Sequence, residues 1–261
     1  MIPSSKPIIE VSHLSHRFSD GSQGIDDISL KIEKGEFVVV AGHNGSGKTT
    51  LFRHLNGLLT PNTGDVKVDG VSVSADVLRA RQLVGLVFQD ADSQIVGETV
   101  YDDVAFGPEN LCLTPAEVNR RVTSALSAVG LEQLADQRPH RLSGGEKRRL
   151  AIAGILAMEP QVLVLDEPFA NLDYSGMIQV LSQIVKLHQA GKTIILSTHD
   201  LDKTMGHASR LILMKNGSII KDGLFEKVIR DVGCVGVKMP CTCQLEAIYG
   251  ENDECRKDQK C

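Results

Sequence analysis

The sequence predicts an α/β fold with a parallel sheet at its centre, an antiparallel β portion ahead of it and a helical portion inserted into it. Three observations predict this. "EFVVVAG" (residues 36–42) and "VLVLDEP" (residues 162–168) are continuous apolar runs, the pattern of strands buried on both faces. The first runs into a glycine-rich turn and then a helical period. Between the two runs, residues 90–141 turn helical in character.

The elements follow in order. Residues 8–14 alternate and read as a strand, 21–24 as a turn, and 28–32 as a second strand. The opening therefore reads as antiparallel, and the strand at residue 36 begins the parallel part. A helix is expected from Lys48 to about Leu58, where "LTPNTG" breaks it. Short strands are expected at 65–68 and 84–88. In the helical insert, "TPAEVNRRVTSALSAVGL" is an amphipathic helix with Thr114 as cap, Pro115 in its first turn and Gly130 at its end. After the strand at 162–168, a helix is expected at 177–189, a strand at 193–199, a helix at 201–207, and a hairpin of 211–214 with 218–220 across "KNG". From about Val232 no period is visible.

Composition narrows the classes. The 261 residues are 42% hydrophobic and 23% charged, with a net charge of -5. That suits a soluble globular protein and argues against a nucleic-acid partner. The longest apolar runs are about half of what spans a bilayer, and the start, "MIPSSKPIIE", has no signal-peptide core. The chain is expected in the cytosol, reaching a membrane only through a partner. Cys112 stands apart from Cys234, Cys241, Cys243, Cys255 and Cys261. Four thiolates could hold Zn²⁺ or an iron–sulfur cluster. The spacing matches no familiar site, so reduced thiols are the preferred reading.

The chemistry concentrates at strand ends. "GHNGSGKT" (residues 42–49) matches G-x-x-x-x-G-K-[ST] between a buried strand and a helix. Its glycines let backbone N–H groups close on phosphate oxygens, Lys48 can reach the outer phosphates, and the Thr49 hydroxyl can hold Mg²⁺. Asp166 and Glu167 emerge at the carboxyl end of a buried strand, where open α/β sheets bind ligands. Asp166 suits Mg²⁺, and Glu167 suits orientation of an attacking water. Gln89 follows the strand "LVGLVF" and can touch Mg²⁺ or that water; alone it would be an ordinary loop residue. His199, ending "TIILSTH", can bond a γ-phosphate, although a lone strand-end His is usually structural.

A second glycine turn, "RLSGGEKRRLAIA" (residues 141–153), has a plain local reading. Ser143 as N-cap with Glu146 three residues on is a capping box. A capping box does not call for Gly144 and Gly145, which free the backbone for a ligand. Two such loops cannot easily close on one set of phosphates. The second would therefore need nucleotide from another molecule.

With these motifs in this order, and with "NLD" after the acid pair, the sequence resembles the ATP-binding subunits of ATP-binding-cassette transporters over about residues 8–225. The resemblance implies a P-loop NTPase core with an antiparallel β subdomain and an α-helical subdomain at about 90–155. It divides the chain into an ATPase domain at 8–231 and a cysteine-rich tail at 232–261. It implies ATP and Mg²⁺ as cofactors. The ATP-binding set would be Phe18, Gly42, His43, Asn44, Gly45, Ser46, Gly47, Lys48, Thr49, Thr50 and Gln89, with Phe18 stacking on adenine. Thr49, Gln89 and Asp166 would hold the metal; Glu167, His199 and Lys48 would be catalytic. Ser143, Gly144, Gly145 and Glu146 would contact the partner's ATP, and Asp173 of the D-loop would communicate across the pair.

"VYDDVAFGPENL" and "LAIAGILAMEPQVLVLDEP" resemble the energy-coupling-factor group, whose ATPases serve cobalt, nickel and vitamin uptake. That implies a second ATPase subunit (a copy or a paralogue), integral membrane partners, and a place on the cytoplasmic face of the membrane. Asp92, Ser93 and Gln94 would dock on the membrane partner. The cargo would be a metal ion (cobalt or nickel) or a vitamin. The rival is a soluble cassette ATPase clamping ribosomes or DNA. Such proteins join two cassettes or carry long coiled-coil insertions, and this sequence has neither. A P-loop kinase would lack the Ser-Gly-Gly turn.

Overall fold

The computed structural model describes residues 6–240. Strands β1 (Ile9–Arg17) and β2 (Gln23–Ile32) form an antiparallel hairpin. Both run longer than expected, because register shifts along β1 interrupt the simple alternation. Next come β3 (Phe37–Ala41) and α1 (Lys48–Leu55). Helix α1 stops before Leu58 because Gly57 takes a left-handed φ of 71°. Strands β4 (Thr63–Val68) and β5 (Val71–Ser72) complete an antiparallel sheet of order β2-β1-β4-β5.

A helix with no sequence expectation follows, α2 (Val77–Leu83), capped by Asp76, whose carboxylate accepts from the Arg79 N–H. Strand β6 (Val84–Val87) leads to the insert, where α3 (Val100–Asn110), α4 (Pro115–Val129) and α5 (Gly144–Leu156) pack together. Thr114 and Gly130 cap α4 as expected, Gly130 with a φ of 68°. Strand β7 (Val162–Leu165), α6 (Tyr174–Gln189), β8 (Thr193–Ser197) and the hairpin of β9 (Arg210–Lys215) with β10 (Ser218–Leu224) follow. A short α7 (Phe225–Val228) runs into a 3-10 turn, Ile229–Val235.

One expected helix is absent. Residues 201–207 hold only a 3-10 turn, Leu201–Lys203. The Thr204 hydroxyl donates back to the Leu201 carbonyl, and Gly206 takes a φ of 80°, so the turn cannot propagate.

The second sheet has order β10-β9-β3-β8-β7-β6 and is parallel from β9 to β6. Its strands are buried on both faces, as their continuous apolar runs require. Phe37, Val39 and Ala41 face the helices α3 to α6, while Val38 and Val40 face the antiparallel sheet and α1. Val232 and Val235 are fully buried in the helix-side core. Among the described residues, no helix is long and apolar enough to cross a membrane. Cys241, Cys243, Cys255 and Cys261 lie outside the described residues.

Candidate active site at the carboxyl edge of the parallel sheet

Four strands of the parallel sheet deliver the expected residues to one edge. Strand β3 ends in the glycine loop, β7 in Asp166 and Glu167, β8 just before His199, and β6 just before Gln89. The loop needs its glycines. Gly45 and Gly47 take φ of 80° and 103°. A Cβ on Gly42 would lie 2.3 Å from the Met214 carbonyl oxygen. Ser46 is fully buried, and its hydroxyl has no partner among the described residues. The Lys48 ammonium donates to the carbonyls of Gly42 (2.7 Å) and His43 (3.1 Å). Burial pushes its pKa down, and the charges of Glu167 and Asp166 oppose that.

The acid pair is buried and held by hydroxyls. Asp166 accepts from the Thr49 hydroxyl (2.6 Å) and from the Ser197 hydroxyl (2.6 Å). The Ser197 oxygen in turn accepts from the Glu167 N–H (2.8 Å). Ser197 was not singled out from the sequence. The only signal for it was a serine two places before His199 in "TIILSTH". Glu167 has a φ of 47°, a strained value for a residue with a side chain. One of its oxygens, Oε2, lies 2.9 Å from His199 Nδ1. The other, Oε1, is buried with no partner among the described residues. An unpaired buried carboxylate oxygen is costly, and it is also a ready proton acceptor.

Gln89 is exposed and lines a cavity of about 520 Å³ with Thr49, Arg53, Phe88, Asp90 and Asp166. Thr49, Asp166 and Gln89 are hard oxygen donors, as Mg²⁺ requires, so the residues fit that ion. No group of three or more His, Cys, Asp or Glu side chains among the described residues could hold a metal. Phe18 is 37% exposed, and a Cβ on Gly24 would meet its ring at 2.9 Å and Thr50 at 3.0 Å. The ring thus sits beside the first turn of α1.

Gln94 departs from its expected place on an exposed docking surface. It is half-buried, its Oε1 accepting from the Phe88 N–H (2.9 Å) and its Nε2 donating to the Leu86 carbonyl (2.9 Å). A side-chain amide can satisfy both groups at the fraying end of β6. Asp92 and Ser93 remain exposed, Asp92 paired with Lys147 at 2.6 Å.

The second glycine turn is built as a capping box. The Ser143 N–H and hydroxyl both donate to Glu146 Oε2 (2.8 Å each), and the Glu146 N–H donates back to Ser143 Oγ (3.3 Å). Bonds from the Ser143 backbone and side chain hold the Glu146 pKa below its ordinary value. The two glycines differ. A Cβ on Gly145 would lie 3.3 Å from Gly176 Cα of α6. A Cβ on Gly144 would meet nothing nearer than 3.9 Å, and its φ is not positive. This chain's own packing therefore does not demand glycine at 144. Asp173 caps α6 through the Gly176 N–H at 2.8 Å. None of these turn residues lines the cavity shared by Thr49, Gln89 and Asp166.

The family model described as "ABC transporter" matches residues 25–170. The energy-coupling factor transporter ATP-binding protein EcfA of Methanocaldococcus jannaschii is 44% identical over 94% of this chain and 90% of that relative. The solved structure of cbiO1 from Clostridium perfringens, described as part of the ABC transporter complex cbiONQ, is 38% identical. It has a TM-score of 0.78 and covers 88% of this chain and 96% of its own. The ATP-binding cassette MJ0796, solved as a dimer in a post-hydrolysis state with ADP and Pi, is 26% identical with a TM-score of 0.74. It covers 83% of this chain and 98% of its own.

Proposed function

The chain belongs to the ABC transporter family, as an ATP-hydrolysing subunit of the energy-coupling-factor type, and from that premise we propose that two such cassettes sandwich two ATPs to drive an uptake transporter. One observation carries the catalytic part of the reading. A hydrogen-bond chain runs from Thr49 through Asp166 and Ser197 to the Glu167 backbone, and Glu167 ends on His199 with a buried oxygen to spare.

In this reading the N–H groups of residues 42–49 and Thr50 cradle the phosphates, Lys48 turns from its loop carbonyls to the outer phosphates, and Phe18 stacks on adenine. Thr49, Asp166 and Gln89 would hold Mg²⁺, which would supply positive charge to offset the phosphates. Glu167 Oε1 takes a proton from a water whose oxygen attacks the γ-phosphorus. The bond to the bridging oxygen breaks, and ADP and phosphate leave. His199 steadies Glu167 Oε2 and the charge growing on the γ-phosphate. Ser143, Gly144, Gly145 and Glu146 meet the γ-phosphate held by the facing cassette, and Asp173 lies at that interface. That a Cβ at Gly144 would meet only ordinary contacts in this chain supports this. The facing cassette is a second copy or a paralogue.

The chain works on the cytoplasmic face of the membrane, docked on integral membrane subunits that carry the cargo. The cargo is a metal ion, cobalt or nickel, or a vitamin. The naming of the relatives supports the membrane partner. The rival, a clamp on ribosomes or DNA, has no support in them. Affinity purification from cells expressing the neighbouring genes tests both. Small integral membrane proteins recovered in fixed ratio to the chain, with cargo uptake lost when the chain is removed, are the expected result. Recovery with ribosomes or DNA in their place would overturn the transporter reading.

A further inference from the structure

Arg148 lies on α5, the helix opened by Ser143, and it is only 4% exposed. Burying a guanidinium is costly unless its charge is well matched. Burial pushes its pKa down, and the charges of Asp90 and Asp166 offset this in part. Its hydrogen-bond partners are two successive backbone carbonyls. Nη1 donates to the Phe88 oxygen at 2.6 Å and Nη2 to the Gln89 oxygen at 2.5 Å. The third donor, Nε, is buried with no partner among the described residues. Its neighbour Arg149 donates from Nη1 to the Val129 and Gly130 carbonyls at the end of α4, and its Nε is likewise buried without a partner among the described residues.

The fork is planar and rigid, so two parallel bonds fix position and angle together. Phe88 and Gln89 are where the chain leaves β6, and that segment carries Gln89 into the cavity with Thr49 and Asp166. The Lys147–Asp92 ion pair ties the same loop to the same helix at a wetter position, where such pairs contribute little.

We infer that Arg148 is a positioning residue: through the carbonyls of Phe88 and Gln89 it couples the helix that meets the partner's ATP to the glutamine that meets the chain's own. One chain would then sense both composite sites through one side chain. The inference rests on the proposed roles of Gln89 and of the Ser143 turn.

The test is a double-mutant cycle of Arg148→Met and Gln89→Ala in the full chain, with ATP turnover, ATP binding and melting temperature measured. Arg148→Met is expected to lower kcat by about 10- to 100-fold with KM nearly unchanged. In the Gln89→Ala background it is expected to lower kcat no further. Arg148→Lys, which can serve one carbonyl, is expected to fall between and to fold where the Met variant does not; its own cycle with Gln89→Ala then decides. Losses that multiply in the double variant would show a merely structural role and overturn the inference. Wild-type turnover in Arg148→Met beside a crippled Gln89→Ala would overturn the Arg148 role alone. Wild-type turnover in Gln89→Ala would overturn the reading of Gln89 and the inference with it.

Discussion

His199 Nδ1 lies 2.9 Å from Glu167 Oε2, and the other oxygen of that carboxylate is buried without a partner among the described residues. The imidazole therefore holds one carboxylate oxygen and leaves the other unpaired among the described residues. Glu167→Gln keeps the shape and removes the proton acceptor. It is expected to bind ATP, remain dimeric with ATP on gel filtration, and lose hydrolysis by about 10²- to 10⁴-fold. Turnover at the wild-type rate would remove Glu167 from the reaction.

The capping box of α5 sets a pH dependence. Glu146 is held below its ordinary pKa of 4.5 by the bonds from Ser143. A carboxylate lowered on folding contributes stability that is present above the unfolded value and is lost as pH falls through the folded one. Acid titration of the wild type is expected to show this loss beginning near 4.5 and continuing below it. Ser143→Ala removes the hydroxyl bonds but keeps the backbone N–H bond to Glu146 Oε2. It therefore costs about 1 kcal/mol at neutral pH and makes the contribution of Glu146 less dependent on pH, not independent of it. An equal acid slope in both proteins, read by urea unfolding, would contradict the assignment.

Much of the core was legible because parallel strands buried on both faces read as unbroken apolar runs: β3, β7 and β8 each do so. Site residues were legible where a motif imposes a backbone, as at Gly45 and Gly47 with their positive φ. Most of what failed depended on three-dimensional partners. Gln94 turns inward because β6 ends with an N–H and a carbonyl that need closing. Ser197 matters because the neighbouring strand β7 brings Asp166 and Glu167 to it. The helix expected at 201–207 fails on a local signal, Gly206 following Thr204, outweighed there by its apolar spacing. Arg148 was hidden in a basic run whose three members face three different partners.

Ser197 is the hinge of the acid pair, because its hydroxyl donates to Asp166 and accepts from the Glu167 N–H. Ser197→Ala leaves that N–H unpaired in a buried place and is expected to cost about 1–3 kcal/mol of stability. It also frees Asp166 to swing, so the Mg²⁺ concentration for half-maximal ATPase activity is expected to rise. Ser197→Thr keeps the hydroxyl and is expected to restore the Mg²⁺ dependence. A Mg²⁺ dependence unchanged in Ser197→Ala would leave Ser197 a purely structural residue.

Gly144 separates local from intermolecular causes most cleanly. A Cβ there would make only ordinary contacts, with the Asn171 oxygen and Leu172 Cδ2 at 3.9 Å, and the backbone needs no positive φ. Alanine is also the better helix former, so Gly144→Ala is expected to leave the melting temperature unchanged, or to raise stability by up to about 1 kcal/mol. If the glycine serves the facing cassette's phosphates, the same variant still binds ATP as a single chain. It then forms the ATP sandwich poorly and loses turnover. Ser143→Arg, which places a long cation at the same point, is expected to abolish the sandwich while sparing ATP binding. Stability, ATP binding, dimer formation and turnover measured side by side decide the matter. Full turnover in Gly144→Ala would mean that no partner phosphate approaches residue 144. Loss of single-chain ATP binding in Ser143→Arg would place Ser143 in its own chain's site or in the fold.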